Sequence, residues 1–315
     1  MRCIKEIEEI WSERQTAVTL GKFDGFHRGH QKLLFQLREA KKQGCRSVIF
    51  TFDTPPKAYI QGAPPKALLS GREKCDLAEK MQADWLIVCP FTDEIRNMTA
   101  ERFVKEILVD RLHGKRVVAG VDFRFGYQRK GDVETLEKLS REYGYELSVL
   151  EKERDQGQVI SSTLIRERLA AGDMERVNQL LGYPFHVTGE IIHGARLGRT
   201  IGMPTINLRP GADKLLPPNG VYASTVELEG KLYSGVTNIG YKPTVSGEHV
   251  CGVETYLQDV SGDFYGKTAQ VRFYRYQRPE RKFGSVEELT AQMHRDAEQA
   301  KEYVKEMFLR LGSVK

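Results

Sequence analysis

The 315-residue chain has no uninterrupted apolar run long enough to span a bilayer. Its first residues, MRCIKEIEEIWSER, alternate charged with apolar side chains and lack the apolar core of a signal peptide. The five cysteines are odd in number, scattered and never spaced as metal-binding pairs, which favours reduced thiols. These absences predict a cytoplasmic protein without a membrane partner.

Internal repeats and low-complexity tracts are also missing, and the excess of basic residues is small, with 48 Lys and Arg against 43 Asp and Glu. A formal net charge of +5 suits phosphate-bearing ligands, yet it also describes many proteins that bind none. The 40% hydrophobic and 29% charged residues are typical of a folded globular protein. At this length we expect two domains.

The first half of the chain alternates strand-like with helix-like segments. The strand-like segments are TAVTLG, SVIFTF, WLIVC, RVVAGV and YELSVLE, and apolar residues at helical spacing lie between them. Ser70 with Glu73 has the spacing of a capping box, and the segment from Phe103 to Leu108 is predicted to be helical. Strands that alternate with helices predict an α/β domain with a doubly wound parallel sheet.

The pattern changes after Gly182. Short alternating segments, FHVTGEII, VYASTVEL, LYSGVTNI and TAQVRFYRY, are separated by Gly, Pro and Asn turns, which predicts an antiparallel β-barrel. A second capping-box pattern, Ser285 with Glu288, is expected to open a C-terminal helix. We place the boundary near Tyr183-Pro184, so that residues 1–183 and 184–315 form the two domains.

One candidate site follows the first strand, in GKFDGFHRGH. Gly21 and Gly25 allow a tight turn, and His27 and His30 lie one helical turn apart where a helix begins. The unpaired N–H groups and positive dipole end of a helix favour phosphate, and two imidazoles can stabilise charge on an attacked α-phosphate. A metal pair and two surface histidines are the alternatives.

Two more loops are expected to meet this turn, because ligands of a doubly wound sheet bind where the first and fourth strands end side by side. The fourth strand runs into GVDFRFG, which contains Asp122. The fifth is followed by ISSTLIRERL, in which Ser162 or Thr163 can cap a helix that holds Arg166. Alternatively, Asp122 is a turn residue, the phenylalanines of GVDFRFG are core and Arg166 is a solvated charge.

Over nearly its whole length this half resembles the FMN adenylyltransferase domain of the prokaryotic bifunctional riboflavin kinase/FAD synthetases, a branch of the H-x-G-H nucleotidyltransferases. The resemblance implies that His27 and His30 are catalytic and contact the ATP phosphates. It implies an ATP site made of Gly21, Phe23, Asp24, His27, His30, Asp122, Ser162, Thr163 and Arg166. The family usually has Pro-His-Pro after the second strand, whereas this chain has Thr54-Pro55-Pro56, which affects any flavin or loop contact of that histidine.

A second candidate site opens the other half, in HGARLGRTIGMPTINL. The glycines and arginines of this loop suit the wrapping of phosphates, although their spacing is not that of a Walker loop. Thr205 and Asn207 lie two apart, so in an extended segment they share a face where a hydroxyl and an amide oxygen could bind Mg²⁺ or phosphate. Glu254 could take the proton of an attacking primary alcohol. The alternatives are a polar sheet face beside a glycine-rich turn and an exposed strand glutamate.

The segments GARLGRTIGMPTINL, LPPNGVYA, GVTNIGYKPTV, VETYLQD and GDFYGK occur in the order and approximate spacing of the riboflavin kinase barrel of the same family. The resemblance implies that Thr205 and Asn207 hold Mg-ATP and that Glu254 is the general base on the ribityl hydroxyl. It implies a phosphate-binding flap made of Gly194, Arg196, Gly198 and Arg199. Ile206 stands where the family generally has alanine.

The sequence therefore predicts an enzyme that phosphorylates riboflavin to FMN with ATP and then adenylylates FMN to FAD, releasing pyrophosphate, with Mg²⁺ in both steps. One alternative is a working adenylyltransferase with a weakened kinase, for which Ile206 is the sequence hint. Another is an RNA-linked protein, because some aminoacyl-tRNA synthetases carry H-x-G-H and small barrels often bind nucleic acid. The lysine-rich partner motif of those synthetases is missing, so we expect no nucleic-acid partner. The pattern favours no particular oligomeric state.

Overall fold

The computed structural model describes residues 1–53, 66–194, 203–243, 249–258, 260 and 262–312. The contacts between Cα atoms divide the chain into two compact units, Met1–Ser162 and Thr163–Lys315. Within the described ranges, no helix combines the length and the apolar character that crossing a membrane requires.

The first unit is built on a parallel sheet of six strands. They are β1 (Arg2–Ile4), β2 (Thr16–Leu20), β3 (Arg46–Phe52), β4 (Trp85–Cys89), β5 (Gly114–Gly120) and β6 (Glu146–Leu150), in the spatial order β1-β4-β3-β2-β5-β6. The strand order reverses between β2 and β5, which pair in parallel. This confirms the predicted doubly wound sheet and gives it a switch point at the end of β2, where ligands bind in such folds.

Helices connect these strands. They are α1 (Arg28–Lys42), α2 (Gly71–Lys80), α3 (Asp93–Asn97), α4 (Ala100–Phe103) and α5 (Val133–Tyr143), and the short strands β7 (Arg154–Asp155) and β8 (Gln158–Val159) form a hairpin after β6. Ser70 and Glu73 form the predicted capping box of α2. The predicted helix from Phe103 to Leu108 is present, but Val104–Arg111 continue α4 as a π-helix.

All five residues of the central strand β2 are buried, as expected for a strand covered on both faces. The buried hydroxyl groups of its two threonines are nevertheless hydrogen-bonded. The Thr16 hydroxyl donates to the carbonyl of Leu112 at 2.8 Å, and the Thr19 hydroxyl donates to that of Val118 at 2.9 Å. These bonds add to the ladder between β2 and β5, and the bond of Thr19 lies near the carboxyl ends of the two strands, at the switch point.

The second unit contains a closed antiparallel barrel, as predicted. Its strands are β9 (His186–Ile192), β10 (Thr205–Arg209), β11 (Gly220–Leu228), β12 (Lys231–Pro243), β13 (His249–Leu257) and β14 (Thr268–Arg278), in the order β10-β13-β12-β11-β14-β9. The C-terminal helix α8 (Val286–Gly312) packs on β11 and β12. Ser285 accepts from the Glu288 N–H at 3.2 Å, and Glu288 in turn accepts from Gly284.

Hydroxyl groups fill part of the barrel interior. Ser224, Thr237 and Thr255 are fully buried on three neighbouring strands, and their oxygens form a chain with two steps of 2.8 Å. Because side chains alternate along a strand, the residues on either side of Thr237 and Thr255 point out of the barrel. This alternation places the candidate residues of β10 and β13, which are Thr205, Asn207 and Glu254, on the outer surface.

Two helices, α6 (Ser162–Ala170) and α7 (Met174–Leu181), lie between the sheet and the barrel in sequence. Apart from Ser162, both helices belong to the second unit. Within that unit, α7 packs on β14. There the Asn178 amide donates to the Phe273 carbonyl at 2.8 Å and accepts from the Phe185 N–H at 2.7 Å. The boundary at Tyr183-Pro184 falls after these helices and stays a prediction.

Candidate active sites

Both motif histidines lie at the start of α1, directly after β2. His27 is the N-cap residue: its Nδ1 accepts from the backbone N–H of His30 at 3.4 Å. The two rings stack with centroids 3.7 Å apart and planes 18° apart. A Cβ at Gly29 would stand 3.2 Å from the His27 ring, so the glycine leaves room for the stack. The first turn of α1 holds no acidic residue that would compete with a bound anion.

Burial decides the charge of these histidines. It lowers the pKa of His27 from 6.5 to about 4, against an opposing effect of Asp24. Burial also holds the pKa of His30 well below 6.5, and His27 and Lys74 lower it further. Both imidazoles are therefore neutral at pH 7 and offer N–H donors instead of positive charges. The Nδ1 of His30 is buried and has no hydrogen-bond partner within the described ranges.

The turn before α1 is strained at two aromatic residues. Phe23 and Phe26 have positive φ angles of 46° and 38°, which bulky residues rarely adopt, and both are completely buried. Their rings lie 5.6 Å apart, and the Phe23 ring lies 5.0 Å from that of His30. Such strain persists only where the surroundings fix the conformation, and it is frequent at functional sites. Here it brings an apolar wall against the His30 ring.

Asp24 and Ser162 anchor this turn. A carboxylate oxygen of Asp24 accepts from the Leu68 N–H at 2.8 Å, and its carbonyl accepts from the Ser162 hydroxyl at 2.8 Å. Because α6 begins at Ser162 itself, this hydroxyl bonds the turn instead of capping the helix as expected. Thr163 and Arg166 lie on the same helix and belong to the second unit.

Asp122 follows the end of β5, the strand beside β2. Its exposed carboxylate pairs with the ammonium of Lys152 at 2.8 Å. The aromatic residues of the same loop fit the alternative that they are core, because Phe125 is buried and the Phe123 ring stacks on it at 5.5 Å. The structure therefore brings Asp122 to the edge of the sheet where β2 ends.

Sequence reasoning missed an ionic cluster around the first turn of α1. Arg28 pairs with Glu153 at 3.2 Å and with Asp155 at 2.5 Å, and Lys32 also pairs with Glu153. Lys32, and to a smaller extent Arg28, lowers the pKa of the Glu153 carboxyl. The cluster ties the β7–β8 hairpin to the helix that carries the histidines. The basic and acidic residues of the cluster are more than 100 positions apart in sequence, so no local pattern indicated that they would pair.

Two half-buried aromatic rings were also missed. Phe52 ends β3 and Phe91 follows β4, and their rings meet edge to face at 5.1 Å. They lie at the carboxyl edge of the sheet, where ligands of this fold bind. An aromatic residue at the end of two successive strands is the signal that could have identified them.

The barrel brings four predicted residues together. Asn207 on β10 lies directly opposite Glu254 on β13, and the hydroxyl of Thr205 donates to a Glu254 carboxylate oxygen at 2.7 Å. The Asn207 amide lies so close to Gly194 that a Cβ there would clash. The other predicted flap residues, Arg196, Gly198 and Arg199, lie outside the described residues, as does Thr54-Pro55-Pro56.

Beside Thr205 lies a cavity of about 250 Å³. Its wall is largely apolar and includes Ile206, Leu257, Phe264 and Tyr265. Ile206 is buried on the face of β10 opposite to Thr205 and Asn207, so it does not belong to the polar site that these two residues form. The described ranges contain no group of three His, Cys, Asp or Glu placed to hold a metal. A site of one hydroxyl and one amide still suits Mg²⁺, which takes most of its ligands from water and phosphate.

Comparisons with known proteins match each unit to one activity. A family model described as FAD synthetase matches residues 9–164, and a model described as riboflavin kinase matches residues 181–304. The chain is also similar to a solved Streptococcus pneumoniae structure described as a macrolide-efflux protein, with a TM-score of 0.85 and 30% identity over 95% of this chain and 98% of that one.

Curated relatives named bifunctional riboflavin kinase/FMN adenylyltransferase match almost end to end. The Haemophilus influenzae protein is 38% identical over 91% of this chain and 94% of its own length. The Escherichia coli K12 protein is 36% identical over 96% and 98%, and the Listeria monocytogenes protein is 34% identical over 93% and 94%. The chain therefore belongs to the bifunctional riboflavin kinase/FMN adenylyltransferase family.

Proposed function

We propose that the barrel phosphorylates riboflavin to FMN with ATP and that the first unit transfers AMP from a second ATP to FMN, releasing pyrophosphate. The observation that carries the proposal is that each family model matches most of one unit, and each unit contains a compact polar site suited to phosphate chemistry. A Mg²⁺ requirement and a cytoplasmic location are parts of this proposal.

Adenylyl transfer needs little proton chemistry, because the attacking phosphate of FMN is already anionic near pH 7. One of its oxygens attacks the α-phosphorus of ATP, and the bond to the pyrophosphate oxygen breaks. His27 and His30 stabilise the developing negative charge as neutral N–H donors, together with the N-terminal amides of α1. Their fixed stack costs no reorganisation during the reaction.

The remaining predicted residues of this site have three kinds of role in the proposal. Gly21, Phe23 and Asp24 shape the turn that carries the histidines, and Ser162 holds that turn through the Asp24 carbonyl. Asp122 meets the nucleotide from the end of β5. Thr163 and Arg166 bind the triphosphate, as the family resemblance implies.

In the barrel, Glu254 takes the proton of the primary ribityl hydroxyl while that oxygen attacks the γ-phosphorus of ATP and ADP leaves. Thr205 orients the carboxylate through its hydrogen bond, which leaves the hydroxyl lone pairs facing the site. Thr205 and Asn207 would hold Mg²⁺, which neutralises charge on the ATP phosphates when bound. Ile206 lies on the opposite face of β10 and therefore does not disturb Thr205, Asn207 and Glu254. This position supports an active kinase.

Two variants test the division of labour. His30→Ala is expected to stop FAD formation from FMN while FMN still forms from riboflavin, and Glu254→Gln is expected to do the reverse. Matched controls are His294→Ala, an exposed histidine of α8, and Glu190→Gln, an exposed glutamate of β9. If both site variants stayed folded but lost both activities, the assignment of one reaction to each unit would be wrong.

A further inference from the structure

A second amide lies beside Glu254, on the side away from Asn207. The register pairs Glu254 with Asn207 on β10 and with Asn238 on β12. Thr237 and Ile239 are buried on the inner face, so Asn238 points outward, as Glu254 does between Val253 and Thr255. Side chains directly opposite on one face have Cβ atoms about 5 Å apart. The outer surface therefore carries three polar groups side by side, namely the Asn207 amide, the Glu254 carboxylate and the Asn238 amide.

Glu280 fixes the orientation of the Asn238 amide. The Asn238 Nδ2 donates to Glu280 Oε1 at 3.0 Å, and the same carboxylate lies over the backbone of Gly240, two residues further along β12. An ionised carboxylate only accepts hydrogen bonds, so it holds the nitrogen of the amide towards itself and turns Oδ1 the other way. Asn238 therefore presents an acceptor beside the proposed base.

The segment that carries Glu280 is itself anchored. Arg278, two residues earlier, binds the buried carboxylate of Asp296 on α8 with bonds of 2.7 and 3.1 Å. A paired arginine and aspartate with this geometry limits the movement of the chain that follows. Glu280 is thus held at its position over β12 by a contact with the C-terminal helix.

Thr205 and Asn238 lie on opposite sides of Glu254. Thr205 belongs to β10 and hydrogen-bonds the Glu254 carboxylate, whereas Asn238 belongs to β12, and β13 with Glu254 runs between these two strands. In phosphoryl transfer the attacking and leaving oxygens are roughly in line, so donor and acceptor approach from opposite sides. With the nucleotide on the Thr205 side, the alcohol reaches Glu254 from the Asn238 side.

We propose that Asn238 is a specificity-determining residue of the kinase, whose Oδ1 accepts a hydrogen bond from a secondary hydroxyl of the acceptor, next to the reacting primary hydroxyl. Glu280 is the positioning residue that keeps Oδ1 directed at the substrate. This inference rests on the proposed kinase function. The hydrogen bond holds the flexible polyol chain with its terminal hydroxyl at the base. It also discriminates against substrates that lack the secondary hydroxyl, because they leave the polar group of the site without its partner.

The test compares riboflavin with the analogue that lacks the ribityl hydroxyl adjacent to the reacting one. The native enzyme is expected to prefer riboflavin in kcat/KM, and Asn238→Ala is expected to reduce this preference about tenfold, the usual effect of one hydrogen bond. Glu280→Gln is expected to reduce it in the same direction, and the double variant to show no more loss than Asn238→Ala. Gln270→Ala, an amide on β14 that contacts Thr188, is the matched control and keeps the preference.

Circular dichroism is the folding control in every variant, because FAD formation reports only the first unit. Asn238→Leu, which also lacks the amide acceptor, replaces Asn238→Ala if that variant does not fold. An unchanged preference for riboflavin in the folded Asn238 variant would overturn this inference, even if the activity fell for both substrates. The kinase proposal would stand in that case, because it depends on the separate loss of FMN formation in Glu254→Gln.

Discussion

Acidification from pH 7 to pH 5 is expected to destabilise the first unit through His27. The pKa of this histidine is about 4 in the folded protein, below its value of 6.5 when exposed. Between these values the unfolded chain binds a proton that the folded unit does not bind. The stability that depends on neutral His27 is therefore complete above pH 6.5 and is lost as the pH falls towards 4.

The size of the effect follows from the width of this window. Each pH unit within it changes the free energy of unfolding by about 1.4 kcal/mol, so the change from pH 7 to pH 5 costs about 2 kcal/mol. His30, whose pKa is also lowered, adds to the loss in the same direction. His27→Asn removes the titrating ring, and asparagine is a favoured N-cap residue, so the cap of α1 is retained.

The assay is urea unfolding followed by tryptophan fluorescence. The two tryptophans of the chain, Trp11 and Trp85, both belong to the first unit, so the signal reports that unit. The native protein is expected to lose about 2 kcal/mol more than His27→Asn between pH 7 and pH 5. The carboxylates titrate in both proteins, so their contribution cancels when the two losses of stability are subtracted. His294→Asn is the control. Equal losses in the native protein and His27→Asn would refute the buried, neutral state of His27.

Three other outcomes are expected. Gly29→Ala places a methyl group against the His27 ring and should lower the rate of FAD formation about tenfold or more, with FMN formation unchanged as the comparison. Prolonged exposure to hydrogen peroxide should join the Cys3 and Cys75 sulfurs, 2.9 Å apart, with loss of two thiol hydrogens and reduction of the peroxide to water. The reaction is slow because burial raises the pKa of Cys75 to about 12; intact mass detects it, and an unchanged mass would contradict it. Cys75→Ser should abolish the bond. Chelation by EDTA should stop both reactions until Mg²⁺ is restored, and activity that persisted in EDTA would contradict the metal requirement.

Local patterns predicted most of the fold. The sheet, the barrel and the capping box of α2 follow from apolar periodicity and from end signals that act within a few residues. The strand β1 was missed, because its three residues, Arg2–Ile4, show no alternation and depend on pairing with β4. The π-helix Val104–Arg111 was also missed, because apolar spacing does not distinguish it from an α-helix.

The candidate sites could be predicted only in part. The motif at the start of α1 named His27 and His30, but their neutral state depends on burial by the folded unit. The contact of Thr205 with Glu254 joins residues 49 apart and requires the register of β10 on β13. The cysteines illustrate the same limit: the four described ones are free, yet the fold brings Cys3 and Cys75 together from scattered positions.

The most direct test of the two activities uses the purified protein in two mixtures, riboflavin with ATP and Mg²⁺, and FMN with ATP and Mg²⁺. The flavins are then separated by chromatography. We expect FMN and FAD from the first mixture and FAD from the second. Formation of FAD from the second mixture alone would contradict the proposed role of the barrel, and no conversion in either mixture would contradict the assignment of both activities.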